Sequence, residues 1–327
     1  MIKGINVYYI YFMLSQVIWG VLPAFWILLR DLSPLYTLAS RIVWSSVFCF
    51  ILIMQKHLLP SLTGLCHQRQ QWPYIGGACL LVTLNWGAFI YAMTRGFILQ
   101  ASLAYFINPI VVIFFGGLIF HETISLMQKL SMFLAASGLV LAFCLYGQIP
   151  YLSFIICLSW ASYSLLKKKI VLDSQVSVFI ESFSMVPLSL LFIGFSEFHG
   201  AGAVGTFHGL QWLLLPATGI VTAVPMMLFT AGVKGVPITV SGILMYCSPS
   251  ITLVIGLLSG EVMTRPMLVA FIFAWIAVVI YITGIYRTMK QIQNRNGMHD
   301  SRPHTQSIHN TIAIPPSHIR ILCFMIY

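Results

Sequence analysis

Two ionisable residues, Arg41 and Glu181, sit inside long apolar stretches and lie 140 positions apart. A charged side chain at the centre of a bilayer costs about 3 kcal/mol even on a lenient insertion scale, so such residues are rarely idle. The chemistry open to them is recognition and coupling. Arg41 could pair with an anionic group and Glu181 could bind a proton or a cation, unless backbone carbonyls or a nearby hydroxyl neutralise each locally. At comparable depth in neighbouring stretches stand Asn85 and Trp86, Tyr105 and Asn108, and Tyr246 and Ser248. A phenol hydroxyl or a carboxamide in hydrocarbon needs a partner, which makes these pocket or coupling candidates. Pro109, Pro225 and Pro249 fall at the same level. Each removes an amide donor and crowds the carbonyl four residues back, which predicts helix breaks whose freed backbone lines a cavity. A plain packing kink is the other reading of any one of them. Trp19, Trp86 and Trp160 could stack on a flat ligand or pack between helices.

The composition dictates what must hold these residues. Of 327 residues, 59% are hydrophobic and 7% charged, against about a quarter charged in a soluble domain. That excludes an ordinary soluble protein, and the missing solvent is lipid. Apolar runs at 6–29, 35–54, 74–93, 98–120, 127–146, 150–166, 176–195, 212–233, 238–258 and 266–286 have the length of a membrane-crossing helix, about 20 residues for a core of about 30 Å. The fold class expected is an all-α integral membrane protein of ten transmembrane helices. With the amino terminus inside, Lys3, Lys56, Arg69, Lys129, Lys167, Lys168, Lys169, Lys234, Arg287, Lys290, Arg295, Arg302 and Arg320 share one face, against Arg30, Arg95 and Arg265 on the other. The positive-inside rule then makes both termini cytoplasmic, and the net charge of +10 reflects topology rather than nucleic-acid binding. Lys167 to Lys169 read as an anchor on anionic lipid.

The chain also repeats. Trp19 and Trp160 are 141 apart, Pro109 and Pro249 are 140 apart, and Glu122 and Glu261 are 139 apart. Phe106-Ile-Asn-Pro109 aligns with Tyr246-Cys-Ser-Pro249, and Phe89-Ile-Tyr-Ala92 with Leu228-Phe-Thr-Ala231. Similarity by chance between apolar segments does not explain one offset at several sites. The expected units are 6–146 and 150–286, five helices each, followed by a disordered cytoplasmic tail at 287–327 that carries His299, His304, His309 and His318. An odd number of crossings per unit inverts the second against the first, an arrangement found in secondary transporters.

Other chemistry lacks its parts. Gly200-Ala-Gly202-Ala-Val-Gly205 spells a dinucleotide fingerprint, but in a loop with no strand before it, where it reads as a flexible connection. His121-Glu122 begins like a zinc-protease motif without the second histidine one turn later. No phosphate loop or serine-nucleophile elbow is present. Seven cysteines without a CxxC pair suggest packed or lipid-facing thiols. The expectations are therefore no metal, no cofactor and no enzymatic activity.

In order along the chain, Ile18-Trp-Gly-Val-Leu-Pro23, Arg41-Ile-Val-Trp-Ser45, Asn85-Trp86, Ala101-Ser-Leu-Ala-Tyr-Phe-Ile-Asn-Pro109, Lys168-Lys-Ile170, Ile180-Glu181 and Gly219-Ile-Val-Thr-Ala-Val-Pro225 resemble the RarD family, within the EamA branch of the drug/metabolite transporter superfamily. The resemblance covers about residues 7–290. It implies two inverted EamA-type repeats and a bacterial inner-membrane permease. Gln100, His121 and Met245 depart from the family pattern, where Glu, Gly and Gln are usual. The function expected is a secondary transporter that exports a small metabolite or drug by alternating access, with a small-molecule substrate and the lipid bilayer as partners; a homodimer is compatible with the sequence. A channel would need continuous polar faces on several helices, and a membrane enzyme on lipid-linked substrates would need clustered acids or histidines. Neither pattern is present.

Overall fold

Apolar runs of this length become helices because hydrocarbon offers the backbone no hydrogen bonds, and a helix satisfies its own. The structure, a computed structural model, describes residues 7–65, 68–95, 97–122, 125–146, 151–258 and 264–299. The helices are α1 (Val7–Trp26), α2 (Pro34–Gln55), the short α3 (Leu59–Gly64), α4 (Trp72–Thr94), α5 (Ile98–Ile119), α6 (Leu126–Tyr146), α7 (Tyr151–Lys169), α8 (Ser174–Phe198), α9 (Leu214–Gly235), α10 (Ile238–Leu244), α11 (Cys247–Leu258) and α12 (Arg265–His299). No strand occurs among the described residues. Among them, six helical segments are long and apolar enough to cross a membrane, and two shorter apolar helices accompany these. The protein is a multi-pass membrane protein.

Three expectations need correction. Pro109 and Pro225 do not break their helices, because α5 and α9 run through them. One lost amide is tolerated where neighbours hold the chain on both sides, and Gly242 of α10 packs directly on the Pro109 carbonyl. The ninth apolar run does break, but at Met245–Tyr246, between α10 and α11. Pro249 is the third residue of α11, so the carbonyl that its ring crowds is that of Met245. Finally, α12 continues to His299 rather than ending at 286, since Met289, Lys290, Gln291 and Gln293 are good helix formers. Glu261, His304, His309 and His318 lie outside the described residues.

Helices 140 or so positions apart in sequence pack on one another. α2 lies along α8, α6 along α12, and α5 along α10. The remaining large contacts are α1 on α9 with α4 on α7, α1 on α11 with α5 on α7, and α2 on α9. Two of these seams depend on glycine. A Cβ on Gly219 of α9 would stand 2.3 Å from the Trp44 carbonyl carbon of α2, and one on Gly232 would stand 2.6 Å from the Phe12 amide of α1. The Ser45 hydroxyl donates to the Gly219 carbonyl at 3.2 Å across the first seam.

α2 and α8 run antiparallel. The Tyr36 hydroxyl, near the start of α2, donates to the Glu197 carboxylate near the end of α8, and Phe50 meets Phe179 at 5.7 Å near their other ends. Glu197 also accepts from the amides of Ala203 and Val204 at 2.9 and 3.2 Å. The glycine-containing 200–205 loop is thus organised around a carboxylate, where the sequence suggested a flexible connection.

Candidate functional site

Arg41 is the eighth residue of α2, whose start is set by Ser33 accepting the Tyr36 amide at 3.1 Å and by proline in the first turn. Its guanidinium carbon lies over two indole rings, 5.4 Å from the centre of Trp26 at the end of α1 and 5.1 Å from that of Trp86 on α4. Cation–π contact of this kind offsets part of the cost of an interior charge. It does not replace a counter-ion. Arg41 makes no ion pair among the described residues, and its Nε is buried with no hydrogen-bond partner. Tyr105 of α5 is within electrostatic range of the guanidinium, yet the residue is 47% exposed. Its ring meets Phe89 of α4 edge-on at 6.3 Å. One turn along α5, on the same face, Asn108 carries a buried Oδ1 that also lacks a partner.

The structure thus brings together Arg41, Trp86 and Tyr105, with Asn108 on the adjoining turn. The other candidates go elsewhere. Asn85 donates from Nδ2 to the Ile156 carbonyl at 2.7 Å and to the Ser159 hydroxyl at 3.1 Å, which makes it a clamp between α4 and α7. Tyr246 is buried and donates to the Phe106 carbonyl at 3.3 Å, 140 positions away. Ser248 lies where α11 crosses α1, its carbonyl against Gly20. Trp19 and Trp160 touch each other and Phe229, all with centroids 5.4 Å apart. That aromatic plate lies about 10 Å along α1 from Trp26, by the rise of a helix over seven residues.

Glu181 is held on the far side of the plate. Lys167 Nζ is 2.6 Å from its Oε1, with side chains 0% and 2% exposed. The Tyr163 hydroxyl donates to Oε2 at 2.8 Å, and Lys167 also donates to the Ser177 hydroxyl at 2.7 Å. The antiparallel register of α2 and α8 separates Arg41 from Glu181 by roughly 10–16 Å along the helices, so the two do not share a site. Nor is the lysine cluster a simple lipid anchor. Lys167 pairs with Glu181. Lys168 donates to the Val236 carbonyl at 2.6 Å and stands 3.6 Å from Glu122, and Lys169 lies over the rings of Tyr74 and Phe120. Glu122 in turn caps α10, accepting the amides of Ile238 and Thr239 at 2.8 Å each. A carboxylate at the positive end of a helix dipole is well placed.

Sequence reasoning missed Trp26, Lys167 and Glu122 as members of these groups. Trp26 falls near the end of its run, where an interfacial tryptophan is expected. A buried acid's need for a cation was the signal that could have singled out one lysine of the three.

Comparison with known proteins agrees with the site's setting. Residues 6–144 match the EamA-like transporter family. An uncharacterized transporter, YojE of Bacillus subtilis, is 35% identical over 83% of this chain and 92% of its own length. Protein RarD of Escherichia coli K12 is 29% identical over 84% of this chain and 93% of its own. A solved crystal structure, 14% identical, superposes with a TM-score of 0.66 over 84% of this chain and 96% of that one, which shows a common fold. With apolar helices throughout and relatives aligned along most of its length, the chain belongs to the RarD family of EamA-like transporters.

Proposed function

We propose that this transporter is a secondary carrier of the bacterial inner membrane, crossing it ten times as two inverted five-helix units, 6–146 and 150–286, with both termini cytoplasmic. It exports a small metabolite or drug by alternating access. The observation that carries the reading is the placing of an interior arginine without an ion pair, set against two indole rings, in a bundle where corresponding helices pack on one another. An inverted repeat has such a pairing, because elements near its pseudo-two-fold axis meet their own counterparts. Tyr246 bonded to Phe106, and Trp19 against Trp160, are the residue-level instances. The Trp19, Trp160 and Phe229 plate, with the charged groups beyond it, supports a site closed toward the lysine-bearing end.

Purified protein in liposomes tests this directly. Carrier action gives saturable flux accelerated by substrate on the opposite side. Flux linear in concentration would favour a channel, and recovery of altered substrate would favour an enzyme. Labelling that finds the two termini on opposite faces would overturn the ten-crossing arrangement.

A further inference from the structure

The charge of Arg41 and the chemistry of its neighbours together describe an occupant. The charge is single. Among the described residues, Lys167 and Lys168 are each paired with a carboxylate, Arg30 is 3.9 Å from Asp31, and Arg95 is exposed beside Tyr91. Arg41 is interior and makes no ion pair. One uncompensated positive charge is neutralised by one negative charge, whereas a dianion would bring a second charge that the site does not meet. An ammonium group is also poorly served. Glu181, the acid at the matching position of the second half, is already engaged by Lys167 and Tyr163.

The polarity follows from the neighbours. Trp26 and Trp86 present ring faces to the guanidinium, and Tyr105, itself against Phe89, lies within electrostatic range of it, aromatic neighbours that favour flat apolar bodies. The unpartnered Arg41 Nε is a donor, and guanidinium donors in a fixed fork match the two oxygens of a carboxylate. We propose that the site takes an organic monoanion, a carboxylate on a flat apolar body, with Arg41 as its ion partner and the Tyr105–Asn108 face of α5 beside it. The proposal rests on the transporter reading for its consequence, since it names the class of substrate, but binding can be measured without transport.

The probe is trans-cinnamate, with cinnamamide as its neutral counterpart and phenylalanine as an aromatic zwitterion. Equilibrium dialysis of the purified full-length protein at neutral pH, with thermal unfolding in parallel, should show cinnamate bound at least tenfold more tightly than either comparator and raising the unfolding temperature. Arg41→Gln should lose that preference. Arg41→Lys, which keeps the charge without the fork, should retain part of it. Each variant is accepted only if it elutes as the wild type does and unfolds cooperatively. Equal binding of cinnamate and cinnamamide, phenylalanine binding as tightly as cinnamate, undiminished binding by Arg41→Gln, or no binding of cinnamate would each overturn the inference. Selective binding without counterflow in liposomes would leave the anion site standing and remove the transporter reading. Counterflow of another solute by protein that ignores cinnamate would do the reverse.

Discussion

Arg41 and Glu181 are each the eighth residue of their helix, α2 and α8, and those helices lie antiparallel against one another. The same position therefore appears twice, near opposite ends of one helix pair. The protein treats the two charges in opposite ways. Glu181 has a lysine, a tyrosine and a serine around it and no solvent. Arg41 has two indoles and an orphaned donor. A charge whose partners are built in belongs to the scaffold; on the reading proposed above, a charge left without one is held for something that arrives.

The contrast can be broken most forcefully at Lys167. Lys167→Met leaves Glu181 buried and unpaired, which should cost about 3–5 kcal/mol, and adding Glu181→Gln should recover most of it. Thermal unfolding of the single and double variants measures this, and a double variant no better than Lys167→Met would show that the pair is not the stabilising unit. Gly219→Ala comes next. Its Cβ meets α2 backbone rather than a movable side chain, so the seam beside Trp44 must open, at about 1–3 kcal/mol. Unfolding at the wild-type temperature would contradict the close approach. Glu122→Gln loses the charge facing Lys168 and one of the two oxygens that accept α10 amides, a change of about 1–2 kcal/mol, only part of which should disappear if Lys168 is neutralised as well. The smallest loss of stability belongs to Arg41→Gln, at about 1 kcal/mol or less, because the two cation–π contacts it gives up are offset by the removal of an unpaired interior charge. If that variant unfolded as early as Lys167→Met, Arg41 would have to be reclassified with Glu181 as scaffold.

Much of this was legible in the residues. The apolar runs locate the helices, because length and the absence of interior charge leave the backbone little choice. Arg41, Trp86, Tyr105 and Asn108 were recognisable as costly or amphipathic groups at one depth. Asn85 and Tyr246 looked the same by that criterion, yet the fold uses them as clamps. Depth along a helix can be counted, but the direction a side chain faces depends on which helix packs beside it. Proline carried a similar ambiguity: residue type marks a strained position, while neighbouring helices decide whether the chain bends, breaks or runs on. Lys167 was hidden by its two companions, since a lysine run at a helix end is what the positive-inside rule expects. Its partner is 14 positions away, across the α7–α8 turn rather than on one helix face.

The cap on α10 has a consequence for how the chain is made. Glu122 is translated 116 residues before Ile238, so the ribosome delivers a carboxylate whose receiving amides do not yet exist. Until the later portion threads in, the early one carries an unanswered charge and an unfinished face. Fragments cut between α6 and α7 should be short-lived when produced singly and persist when produced together in one cell.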